Sequence, residues 1–99
     1  MLVDLTAEQD RICAEALSPL QLLRVAHVVA ACARMMTTRP LVVVVGGEPE
    51  PEHMEQLREV VASMASQVVE LRGVESVERV KLELIAALRA ARALRSPAG

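Results

Sequence analysis

The stretch Thr37–His53, TTRPLVVVVGGEPEPEH, decides how the chain is read. Leu41, Val42, Val43, Val44 and Val45 form an unbroken aliphatic run, closed by Gly46-Gly47 and followed by glutamates alternating with prolines. A run apolar on both faces reads as a fully buried extended segment. A lone strand leaves its backbone donors and acceptors unsatisfied, so it needs a partner. Three are available: the LVDL segment at Leu2–Leu5, the same run of a twin subunit across a two-fold axis, or a foreign strand docking by β-augmentation. Leu41–Val45 is therefore read first as an assembly element.

Outward from this run the pattern turns helical. On the amino-terminal side, Thr6 followed three residues later by Gln9 is a capping-box pattern that opens a helix ending near Leu17. Ser18-Pro19 then predicts a second helix from Pro19 to about Met36, apolar around most of its girth and hence central. Arg24, His27 and Arg34 would share one narrow polar stripe on it. On the carboxyl side, Met54, Leu57, Val61, Met64, Val68 and Leu71 step by three and four, predicting a third helix over Pro51–Arg72. Gly73-Val74 reads as its Schellman-type stop. A new phase begins after Ser76 with Val77, Val80, Leu84, Ala87, Ala91 and Leu94, so a fourth helix turns back on the third. The expected fold is mainly α: four helices as two αα-hairpins joined by the short β-like segment Leu41–Val45. That segment would pair with the N-terminal residues or across a dimer axis. Residues 1–99 read as one domain, with a frayed tail at 96–99.

Composition narrows the function. The chain has 99 residues, 53% of them hydrophobic, and contains no Phe, Trp or Tyr. So many aliphatic side chains are hard to hide in one small body, which favours a core shared with a second copy. Eleven basic and thirteen acidic residues give a net charge of −2, no attraction for a polyanion. The absence of aromatic residues also removes any platform for stacking single-stranded bases. A strand ahead of two helices occurs in DNA-binding proteins, but those read bases through polar strand residues, and this strand offers only Leu and Val. Leu20–Met36 is interrupted by Arg24, His27 and Arg34, short of the roughly 20 apolar residues of a membrane span. The N-terminus lacks a basic segment and a long apolar run, unlike a secretory signal. A cytoplasmic location is expected.

The chemistry-bearing residues are few. Glycines between a strand and a helix resemble a nucleotide site in outline, yet GxxxxGK[ST] and GxGxxG are both missing, and Glu48, Glu50 and Glu52 stand where a phosphate would sit. Glu48, Glu50, Glu52, His53 and Glu55 are splayed by the extended Pro49 and Pro51 and favour the following helix dipole over a metal. Cys13, His27 and Cys32 lack metal spacing. In a helical hairpin the two cysteines would lie at distances from the turn differing by about 14 Å, too far for a disulfide. No grouping of nucleophile, base and acid emerges, so no catalytic residue, metal ligand or cofactor is assigned. The reading that follows is a small cytosolic interaction or regulatory module acting through homodimeric or heteromeric assembly, without catalysis. The alternative is a small-ligand-binding or enzyme-accessory subunit with a cleft near the second helix and the Arg24/His27/Arg34 stripe. A DNA-binding regulator stands third.

Overall fold

Strands and helices alternate along the chain in the computed structural model, which describes residues 1–18, 20–72 and 76–95. The order is β1 (Leu2–Val3), α1 (Ala7–Leu17), β2 (Arg24–Val25), α2 (Val28–Thr38), β3 (Val42–Val45), α3 (Pro51–Ser63), β4 (Gln67–Glu70) and α4 (Val77–Arg95). The strands form one sheet in the spatial order β2-β1-β3-β4, every neighbouring pair parallel. The mainly α expectation is therefore corrected: this is an α/β fold, not two helical hairpins around a single extended segment.

The valine run finds both partners inside the chain. Leu2 aligns with Val44 on one side of β3, and Val43 aligns with Val68 on the other. Val43 and Val44 are fully buried, with Val42 and Val45 nearly so. A parallel strand covered on both faces reads as a continuous apolar run, which is why β3 lacks an alternating pattern. Alternate residues still divide between two cores. Val43 and Val45 face α2 and α3 with Val3, Met35 and Leu57. Val42 and Val44 face α1 and α4 with Leu2, Cys13 and Leu84. Burying each such valine stabilises the fold by about 1.5–3 kcal/mol.

Two expected helices are shorter than their periodicity suggested. The Pro19–Met36 helix becomes β2 and then α2, which His27 caps: its Nδ1 accepts the Ala30 N–H at 3.1 Å. Leu2 donates to the Leu23 carbonyl at 2.8 Å and Asp4 to the Val25 carbonyl at 3.0 Å, so this segment's backbone groups are used in sheet pairing. The Pro51–Arg72 helix stops at Ser63, and Gln67–Glu70 becomes β4. The break falls at Ala65, whose φ of 55° takes it out of the helix. Pro19, the Gly73-Val74 stop, Glu75 and the 96–99 tail lie outside the described residues. The first helix does follow its sequence signals, with the Thr6–Gln9 capping box complete and Leu17 as its last residue. Ser76, as expected, stands just ahead of α4, and its hydroxyl accepts the Arg79 N–H at 3.2 Å. No described helix is long and apolar enough to cross a membrane.

Candidate functional site

A parallel sheet collects the loops that follow its strands at one edge. Here the chain runs from β1 outward to β2, then crosses back so that β3 lies on the other side of β1. In open α/β sheets ligands bind beyond the carboxyl ends of the strands where the winding reverses in this way. Beyond β1 and β3 the backbones approach closely. Gly46 donates to the Val3 carbonyl at 2.9 Å. A β-carbon on Gly46 would lie 2.8 Å from Gln9 Oε1 and 2.9 Å from the Asp4 carbonyl, so glycine is required there. Asp4 itself has a φ of 53° and Gly47 a φ of 66°, which lets both chains turn sharply away from the sheet.

Two clefts open on either side of the Gly47–Glu50 turn. The larger, of about 720 Å³, is floored by Val45, Met54 and Leu71 and rimmed by Thr6, Gln9, Glu48, Arg58, Glu70 and Arg72. Its size lies within the range of about 300–1,000 Å³ typical of small-molecule sites. On its wall Arg58 Nη2 donates to Glu70 Oε1 at 2.8 Å, while Arg72 lies 3.8 Å from the other Glu70 oxygen. Pro51, Met54 and Arg58 are spaced by three and four residues, so one face of α3 supplies floor and wall together. At the mouth, Thr6 and Gln9 occupy each other: the Thr6 N–H donates to Gln9 Oε1 at 2.9 Å, and the Gln9 N–H to Thr6 Oγ1 at 3.1 Å.

The smaller cleft, of about 250 Å³, is lined by Asp4, His27, Val28, Val29, Gly46, Glu48, Pro49 and His53. It joins His27 and His53, which are far apart in sequence. Among the described residues, however, no three His, Cys, Asp or Glu side chains come close enough to hold a metal ion. Glu50 precedes α3 without a side-chain capping bond, and Glu48, Glu52 and Glu55 are exposed.

The residues singled out by sequence scatter. Arg24, His27 and Arg34 do not share one helical stripe, because β2 and the α2 cap intervene. Arg24 instead grips Asp10 through two bonds, Nε to Oδ2 at 2.6 Å and Nη2 to Oδ1 at 2.8 Å. That hydrogen bonding, with the Arg24 charge behind it, holds the Asp10 carboxyl below its ordinary value against an opposing burial effect. Arg34 is exposed part-way along α2, and its carbonyl accepts from the Thr37 and Thr38 hydroxyls. Leu41 to Val45 lie in and beside the interior strand, with β1 and β4 as neighbours. Cys13 and Cys32 are free thiols in the two opposite cores, with the sheet between them. Sequence reasoning missed Asp4, Thr6, Gln9, Arg58, Glu70 and Arg72 as site residues. No sequence signal raised Arg58, because the apolar series Met54, Leu57, Val61 passes beside it unbroken.

No protein-family model matches this chain, and comparison with curated proteins and with solved structures finds no match either.

Proposed function

We propose that this chain is a small-molecule-binding module, its ligand seated in the larger cleft beyond the carboxyl ends of β1, β3 and β4. One observation carries the reading: an apolar-floored cleft of ligand size lies where the strand order reverses. The floor comes from the sheet and the first turn of α3, while the polar groups come from the start of α1, the β3–α3 loop, α3 itself and the end of β4, an arrangement suited to holding a ligand in one orientation. Among the described residues of the cleft no nucleophile–base pair forms, so binding without chemistry is the simpler activity. The test is a thermal-shift screen against a metabolite set, with hits mapped by amide chemical shifts. Hits that perturb Gly47, Met54 and Leu71 support the proposal; hits that perturb only other surfaces overturn it.

A second reading, assembly with another copy of the chain or another protein, is favoured by α2. Val29 is 51% and Met36 is 69% exposed, and Cys32 and Ala33 lie between them at helical spacing. These four side chains make an apolar stripe on the solvent side of the helix. Light scattering on the parent chain and on a Val29→Lys, Met36→Lys double variant tests it: a parent dimer that the double variant dissociates supports assembly through this stripe. A cytoplasmic setting fits both readings, since two unpaired thiols persist best in a reducing compartment.

A further inference from the structure

We propose that the larger cleft takes a small aliphatic carboxylate, its carboxylate group received by Arg58 and its hydrocarbon body lying on Val45, Met54 and Leu71. The inference rests on the small-molecule reading above and names the ligand class. It follows from what each part of the cleft can offer.

The floor is entirely aliphatic or thioether. Val45 is 2%, Met54 4% and Leu71 2% exposed, so their inner surfaces are fixed by the core and only their outer atoms meet the cleft. Pro49 and Pro51 continue this apolar lining. The chain has no aromatic residue with which to stack a base or a ring. A hydrocarbon body is the group this surface can desolvate at least cost.

The polar end is set by the donors that carry charge. The Thr6 N–H and the Gln9 N–H at the mouth are already used in the capping box. The first residue of α3 is Pro51, which has no N–H, and Glu48, Glu50 and Glu52 crowd that helix end. Several negative charges there disfavour a phosphate group. Arg58 is a charged donor on the cleft wall. Its guanidinium carries five donors, and the recorded bond to Glu70 uses one of them. Glu70 thereby orients the fork without exhausting it, and a planar fork matches a carboxylate through two parallel bonds. Glu48 lines the same cleft and opposes a carboxylate by like charge, so its removal has a defined sign.

The experiment titrates ¹⁵N-labelled protein at neutral pH with four probes: 4-methylpentanoate, 4-methylpentylamine, 4-methylpentan-1-ol and inorganic phosphate. The expected result is saturable movement of the Gly47, Met54 and Leu71 amides by the carboxylate, at lower concentrations than any other probe requires. Arg58→Gln should weaken that binding by about tenfold or more, Arg58→Lys by less, and Glu48→Gln should strengthen it. Both positions are solvent-facing, so unchanged thermal unfolding of the variants separates lost binding from lost structure. Preference for the amine, alcohol or phosphate at the same amides overturns the ligand class and leaves the binding cleft standing. So does an affinity for the carboxylate that Arg58→Gln leaves unchanged. If no probe moves the cleft amides of a folded protein, the class proposal fails. The wider screen described above then decides whether the cleft binds small molecules at all.

Discussion

The Arg95 guanidinium donates to the Ser66 hydroxyl at 2.7 Å, and the pair closes the amino-terminal rim of the sheet. The same Nη2 donates to the Pro40 carbonyl at 2.8 Å, and Ser66 Oγ donates to that carbonyl at 2.6 Å. Nη1 reaches the Arg39 carbonyl at 3.0 Å. One side chain at the end of α4 thus ties the entry of β3 to the entry of β4, far from the clefts. Ser66 is 4% exposed, so its hydroxyl cannot turn to water instead. Arg95→Met should cost about 1–3 kcal/mol, the range for a charged hydrogen bond with partly buried partners. Ser66→Ala should cost less, because Arg95 still reaches the Pro40 carbonyl. Urea unfolding of the two single variants and the double variant measures the coupling. Strict additivity would show that the two residues act separately.

The bond between Arg24 and Asp10 makes a different prediction, one of pH. It joins the edge strand β2 to α1. The folded Asp10 carboxyl titrates below its ordinary value, chiefly through the Arg24 hydrogen bond. The unfolded chain therefore takes up the proton first. The stabilisation is present above the ordinary aspartate value of about 3.9 and is lost as pH falls through the lower folded value. Both side chains meet solvent, so the effect is small. Asp10→Asn should unfold at a lower urea concentration than the parent at pH 6, with the gap closing toward pH 2. A gap that stays constant across that range would assign the loss to something other than the charge.

Gly46 tests the close approach at the head of the clefts. A β-carbon there would meet the Leu5 side chain at 2.8 Å and the Asp4 carbonyl at 2.9 Å. The second contact is with backbone and cannot be relieved by a side-chain rotation. Gly46→Ala should destabilise by about 1–3 kcal/mol through overpacking. It should also disturb the amides of Asp4 and Leu5, which lie across the gap. An alanine variant as stable as the parent would mean that β1 and β3 diverge at this point.

What could be read in the sequence was what is local. Thr6 and Gln9 announce the start of α1 because their bonds span only three residues. The valine run announces a buried strand because an interior parallel strand needs no alternation. The edge strands β2 and β4 were hidden for other reasons. Gln67–Glu70 follows α3 without a glycine or proline between them, and Val61, Met64, Val68 and Leu71 keep helical steps straight through the break. The turn is made by Ala65 at positive φ, a conformation that alanine's composition does not advertise. Arg24-Val25 is too short a strand to show any period. With β2 and β4 unseen, the parallel sheet was unseen, and with it the edge that brings Thr6, Glu48, Arg58 and Glu70 together. No linear motif joins four residues held on a helix cap, a loop, a helix and a strand end.

His27 offers a check on the corrected boundary of α2. As the cap it accepts the Ala30 N–H through Nδ1, which places the ring proton of the neutral imidazole on Nε2. No acidic residue lies in the first turn of this helix. His27→Ala should therefore cost about 1 kcal/mol, the usual loss for an N-cap. His27→Asp should restore or exceed parent stability by capping and by placing a negative charge at the positive helix end. If the helix instead began near residue 20, His27 would be an interior position, and aspartate would be the worse substitution.

The two thiols separate the cores chemically. Cys13 is fully buried, and burial, with a further contribution from Asp10, pushes its thiol up to about 11. Cys32 is only half-buried, and burial raises it as well. At pH 8, three units below its folded value, Cys13 is a thiolate for only about one part in a thousand, and the reagent must also reach it. Iodoacetamide should therefore add one adduct to the native protein, at Cys32, and a second only after unfolding in guanidinium, with peptide mass spectrometry assigning the order. The raised thiol also carries a stability sign. Its contribution is complete below the ordinary thiol value and falls as pH rises through the folded value near 11. The Cys13→Ser variant should lose that alkaline decline while gaining a buried hydroxyl, so its denaturation midpoint should be lower at pH 7 and should change less between pH 8 and pH 11. Equal labelling rates for both cysteines in the native state would mean that the α1–α4 core opens to solvent far more readily than the α2–α3 side, against the full burial of Cys13, Val44 and Leu84.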